Sequence, residues 1–152
     1  MRDMGNNREL MDVFYEEARE LIDEMREGLA ALGDTKEEGR GTRDEGVHRL
    51  SEQSERSSII HRLFRCAHTI KGNSQMVGLR GLAEISGAME EVLRRAASGT
   101  LSVNSDMVLV LSEGADACRK LLDGEEVPRG DLLGKMKSAL EKRREKGERR
   151  YG

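Results

Sequence analysis

Residues 61–75, HRLFRCAHTIKGNSQ, bring an imidazole, a cation and a bare backbone within five positions: His68, Lys71 and Gly72. On a helix, positions three and four after His68 share its surface, so Lys71 and Gly72 both flank the ring. The surrounding apolar residues Ile60, Leu63, Phe64, Ala67 and Ile70 recur at helical spacing. Counting 100° per residue, His68 stands roughly 110° from the centre of that stripe, at the rim of the helix and not inside. A glycine within such a helix costs about 0.8–1 kcal/mol relative to alanine, so Gly72 needs an offsetting advantage. A missing side chain beside an exposed imidazole admits a second molecule, and Lys71 supplies positive charge for an anion attached to the ring. These are the needs of a phosphohistidine.

A second polar residue is placed in the same way. Glu90 follows the apolar Met89 and projects about 120° from the centre of its own stripe, again at a rim. Two arrangements are open to it. It can accept the Nδ1–H of the neutral imidazole, fixing the tautomer and leaving the Nε2 lone pair outward as a nucleophile. It can equally pair with Arg94, four residues on, as part of a solvated face. His61 lies one heptad before His68 and belongs to the face that a docking partner would meet, with Arg65, Gly72 and Gln75 on the same helix and Gly87 opposite. Its plainer reading is a solvated side chain. A metal site from His61, Cys66 and His68 fails on geometry, because Cys66 projects to another side of the helix.

These residues need helices to hold them. Phe14, Ala18, Leu21, Met25 and Leu32 line one face of a first helix over 10–32, which Gly33-Asp34 ends. The segment 34–56 is charged, carries Gly39, Gly41 and Gly46, and reads as a long loop with at most an extra helical turn. Its glycines do not form a phosphate-cradling motif, and no strand precedes them. The second helix covers 57–77 and stops at Gly78. A third, over 79–97, has Leu82, Ile85, Met89, Val92, Leu93 and Ala96 inward and closes at Ser98-Gly99. After the link TLSVN a fourth runs from an N-cap at Ser105 to Leu122, with Val108, Leu111, Ala115, Cys118 and Leu122 inward. Beyond Asp123-Gly124, Pro128 suits a helix start, and a fifth helix takes Leu132, Leu133, Met136, Ala139 and Leu140. The last residues, EKRREKGERRYG, read as a fraying basic tail.

The expected fold is therefore all-α: an antiparallel four-helix bundle with an additional C-terminal helix packed at one side. The division is a bundle over 1–125 and a helix with tail over 126–152. A chain of 152 residues with 36% hydrophobic and 36% charged residues, 3% aromatics, no Trp and one Pro favours this over a sandwich or barrel. No run of about 20 apolar residues offers a membrane span. With 26 basic against 29 acidic residues, no whole-chain field recruits nucleic acid. Two cysteines outside any C-x-x-C pair, and an N-terminus without an apolar signal core, fit a cytoplasmic protein with reduced thiols. Cys118 fits the inner stripe of its helix, whereas Cys66 reads as a flank residue. Nothing calls for a cofactor or forms an ATP pocket.

The run FRCAHTIKGNSQMVGL resembles the signature of histidine phosphotransfer (HPt) domains, A-H-x-[LI]-K-G followed by small residues and a glycine after an apolar residue. FYEEARELIDEMREGLAAL before it and MEEVLRRAASGTLSVNSDMV after it are similar, more narrowly, to the N-terminal phosphotransfer domain of chemotaxis histidine kinases of the CheA type. The likeness covers about residues 10–122. It implies that His68 accepts phosphate from ATP through a separate kinase domain and passes it to an aspartate of a response-regulator receiver domain. It also places the family's lysine and glycine on Lys71 and Gly72 and its histidine-orienting glutamate on Glu90. A free-standing relay protein between two receivers would use His68 identically. Two departures stand out: Asn73 occupies a position that often holds Gly or Ala, and the connection after the first helix is long. A supporting histidine that some members carry three residues before the glutamate is Gly87 here.

Overall fold

The computed structural model describes the backbone of residues 3–34 and 45–151 and the side chains of residues 8–34 and 53–141. Five helices follow one another: α1 (Asp3–Asp34), α2 (Glu45–Val77), α3 (Arg80–Ala97), α4 (Ser105–Leu122) and α5 (Gly130–Tyr151), with no strand among the described residues. Helices α1, α2, α3 and α4 pack in a closed ring, and α5 lies against α3 and α4. This is the expected four-helix bundle with a fifth helix at its side. The reason is visible in each stripe. In α1, Phe14, Ala18, Ile22, Met25, Leu29 and Leu32 recur three or four apart and are all buried, so one face of the helix is removed from water along its length. Leu63, Ala67 and Ile70 of α2, Ile85, Met89 and Val92 of α3, and Leu111, Ala115 and Cys118 of α4 meet it in one core, to which α5 adds Leu132 and Met136. Each large side chain so buried contributes about 1.5–3 kcal/mol.

Three of the helices end in the same closure. Gly78, with φ +79°, follows Val77; its N–H donates to Gln75 O at 3.3 Å and Leu79 N–H to Ser74 O at 2.9 Å. The left-handed backbone there is open to glycine without steric cost, and the paired bonds satisfy carbonyls that the helix end would otherwise leave bare. Gly99 and Gly124 close α3 and α4 with the same pair of bonds. As a result α2 and α3 are joined by only Gly78 and Leu79, which turns them into adjacent antiparallel legs.

The structure corrects several expectations. The loop expected over 34–56 is corrected at both ends: α1 includes Asp34 and α2 begins at Glu45, while residues 35–44 lie outside the described residues. Segment 45–56 is polar, and polarity with glycines mimics a loop in sequence. It is tied down through Arg56, whose guanidinium donates to Leu32 O at 3.0 Å and to Val103 O at 2.8 Å. The backbone of the basic C-terminal segment does not fray but stays helical to Tyr151, consistent with its Glu, Lys and Arg content. In α1, Ile22 is buried where Leu21 was expected inward, and Leu21 is half-buried. The N-cap of α4 is Asn104, not Ser105: its Oδ1 accepts the Met107 N–H at 2.9 Å. The link before it is not a bare connection, since Leu101 and Val103 are buried.

Candidate functional site

Among the described residues the seam between α2 and α3 is the most extensive helix–helix interface, and it sets His68 opposite Glu90. The His68 side chain is 67% exposed, as a rim position requires, while Glu90 is only 2% exposed. Glu90 is therefore not at the rim, as its angle on α3 implied, but covered by neighbours. Its Oε2 lies 3.0 Å from His68 Nδ1, and its Oε1 accepts Arg94 Nη2 at 2.6 Å, with Lys71 Nζ at 3.5 Å. The two arrangements that the sequence left open coexist: one carboxylate oxygen serves the imidazole and the other serves cations. Burying a carboxylate is costly unless its lone pairs are used, and here each oxygen has a partner. An ionised carboxylate only accepts, so this contact suits Nδ1–H as donor, and in the neutral ring that tautomer leaves the Nε2 lone pair free.

Lys71 reaches Glu90 by lying over Gly87. A Cβ built at Gly87 would stand 3.5 Å from Lys71 Cδ and 3.8 Å from its Cε, so that glycine lies under the lysine stem and is half-buried. Gly72 is different. A Cβ there meets nothing within 4 Å, and the helix runs on past it to Val77. His61, Arg65 and Gln75 are exposed on the same helix. His61 and Arg65 border a shallow groove with Ser54, Ser57, Ser58 and Phe64, which continues the His68 face towards the start of α2.

Two features escaped the sequence. Phe64, counted as core, is half-buried; its ring stacks on the His68 imidazole with centroids 6.2 Å apart and planes at 25°. Arg94 also lies over the Phe64 ring, its guanidinium carbon 5.9 Å from the centroid. Both were signalled by four-residue spacings, Phe64 to His68 and Glu90 to Arg94, that bring side chains together on a helix. Cys66, expected at the flank, is buried. Burial, and after it the Glu24 carboxylate, push its thiol up to about 12. Its chemistry is thereby silenced, two residues from an exposed base.

The chain matches the Hpt domain family over residues 9–146, and it belongs to that family, whose role is histidine phosphotransfer. It is 29% identical over 140 residues to the chemotaxis protein CheA of Borreliella burgdorferi, covering 88% of this chain and 14% of that protein. It is 29% identical over 119 residues to the sensor histidine kinase CheAY of Helicobacter pylori, covering 78% and 13% respectively. With CheA of Bacillus subtilis the identity is 31% over 93 residues, 61% of this chain and 14% of the relative. The chain thus spans about one-seventh of the length of these relatives. No described helix is long and apolar enough to cross a membrane.

Proposed function

We propose that His68 is the phosphoacceptor of a CheA-type phosphotransfer domain, taking its phosphoryl group from a separate kinase domain and yielding it to a receiver aspartate. One observation carries this reading: a buried carboxylate holds Nδ1–H at 3.0 Å, which directs the Nε2 lone pair to solvent beside a cation and an open glycine. In the first step that lone pair attacks the γ-phosphorus of ATP bound on the kinase domain. The N–P bond forms as the bond to the bridging oxygen breaks, and ADP leaves with the electron pair. The ring now carries substituents on both nitrogens and shares positive charge, which the Glu90 carboxylate stabilises through Nδ1–H. In the second step a carboxylate oxygen of the receiver attacks phosphorus, and the N–P electrons return to Nε2. Lys71 offsets the charge of the phosphoryl group in both steps, and Gly72 leaves the approach clear.

The test is to incubate the chain with a CheA-type kinase core and labelled ATP. Acid-labile label is expected on the wild type and none on His68→Gln. Equal labelling of both would sink the proposal.

A further inference from the structure

His68, Glu90, Arg94 and Phe64 form a closed circuit. The imidazole contacts Glu90 through Nδ1, Glu90 contacts Arg94 at 2.6 Å, Arg94 covers Phe64, and Phe64 stacks on the imidazole. Arg94 therefore reaches His68 by two routes, one electrostatic and one through packing, without touching it in either. The guanidinium divides its nitrogens here, Nη2 on Glu90 and Nη1 on Glu91 Oε2 at 2.8 Å.

From this circuit we infer that Arg94 is a positioning residue for His68: it draws on the Glu90 carboxylate so that the imidazole remains neutral and nucleophilic, and holds Phe64 against the ring. The inference rests on His68 being the phosphoacceptor. The physical argument is a competition for one buried charge. The groups facing His68 are Glu90 and Arg94 from α3 and Lys71 from α2, with Arg65 one turn earlier on α2 and Glu91 acting through Arg94. Glu90 left to itself would favour the imidazolium, which has no Nε2 lone pair to attack phosphorus. Arg94, whose side chain is 53% exposed but whose Nη2 lies 2.6 Å from that buried carboxylate, takes up part of its field. Lys71 sits farther from the same oxygen, at 3.5 Å. The two routes have separable effects: charge sets the protonation of the ring, and Phe64 sets its orientation.

The experiment follows the His68 ring protons by NMR across pH in the full chain, beside the pH dependence of labelling by a CheA-type kinase core. Arg94→Gln is expected to move the imidazole titration to higher pH by about one unit and to lower labelling about threefold at pH 7, with the difference closing above about pH 9. Arg94→Lys should restore the titration to near its wild-type position. Phe64→Leu should lower labelling by a constant factor at every pH while leaving the titration in place. Glu91→Gln, which frees Arg94 for Glu90 alone and leaves the core intact, should move the titration to lower pH, and it keeps the test available if Arg94→Gln does not fold. A titration unmoved in Arg94→Gln or in Glu91→Gln, or one that Arg94→Lys fails to restore, would overturn the inference. The NMR arm needs no phosphorylation, so an unlabelled wild type would overturn the phosphoacceptor assignment and be told apart from failure of the Arg94 mechanism.

Discussion

Cys66 and His68 stand two residues apart on α2, and both side chains carry atoms that can act as nucleophiles. Their surroundings treat them in opposite ways. Cys66 is buried in the core with the Glu24 carboxylate at its side, and burial first and that carboxylate second push its thiol up to about 12. His68 is exposed, and its carboxylate, Glu90, is the buried member of the pair. The contrast extends to the cations. Glu24 accepts Arg62 Nε at 2.7 Å on the surface, which raises the Arg62 guanidinium above its ordinary value through that hydrogen bond; such exposed pairs contribute little to stability. The carboxylate in the α2–α3 seam instead spends its partners on aiming one ring. Reactivity on this helix follows from which of the two groups, carboxylate or nucleophile, is kept from water.

The sharpest way to break the contrast is to make one substitution at both positions. Cys66→Glu places a second carboxylate in the core beside Glu24 and is expected to destabilise the bundle by about 3 kcal/mol. His68→Glu, at an exposed position, should cost far less than this even though it sets a carboxylate opposite Glu90, while removing all acid-labile label. Next comes Gly72→Gln, expected to keep the helices folded and to slow transfer to a receiver at least about tenfold, because the side chain fills the open approach. Its stability should hold or rise by up to about 1 kcal/mol. Stopped-flow transfer from the phosphorylated protein reads the rate. Lys71→Ala is expected to lower labelling by about fivefold to tenfold with melting temperature little changed, and Glu90→Ala to lower it at least as far while also costing stability, because that side chain is buried and its loss strips Arg94 of a partner. A loss of label no greater than the fraction unfolded would make either residue structural.

The smallest effect at neutral pH comes from the thiols. Cys66 and Cys118 stay protonated in the folded chain to about 12, whereas the ordinary value is 9.0. The unfolded chain therefore releases protons first, and stability falls as pH rises above about 9, by up to about 1.4 kcal/mol per pH unit for each thiol. Urea titrations at pH 7 and pH 10.5 should show this slope, with Cys66→Ala removing its share.

The stripes and stops of the helices were legible because they depend only on neighbours along the chain: apolar residues at helical spacing, and Gly78, Gly99 and Gly124 where the backbone turns left-handed. The rim position of His68 was legible for the same reason. Burial of Glu90 and Cys66 was not, since the angle of a residue on its own helix does not say what the next helix lays over it. For Glu90 the surroundings are Lys71, Arg94 and the facing helix; for Cys66 they include α1. Phe64 misled in the other direction, as an aromatic on the apolar side that serves the site's edge. Segment 45–56 looked like a loop because its helix is held by Arg56 reaching carbonyls of distant segments, which leaves no periodic apolar mark.

The two-residue join between α2 and α3 also bears on the order in which the protein folds. His68, Lys71, Glu90 and Arg94 all belong to that single helical hairpin, so bringing them together closes a short loop at small entropic cost. The α1–α4 seam, by contrast, joins stretches separated by most of the chain. Contacts of low sequence separation tend to form early, and the α2–α3 hairpin is expected to be structured in the folding transition state before α1 closes the ring. Ile70→Val and Ile85→Val should then slow refolding, while Ile22→Val should chiefly speed unfolding. The phosphotransfer constellation would thus be assembled in the earliest tertiary event of the bundle, ahead of the core that later encloses its other side.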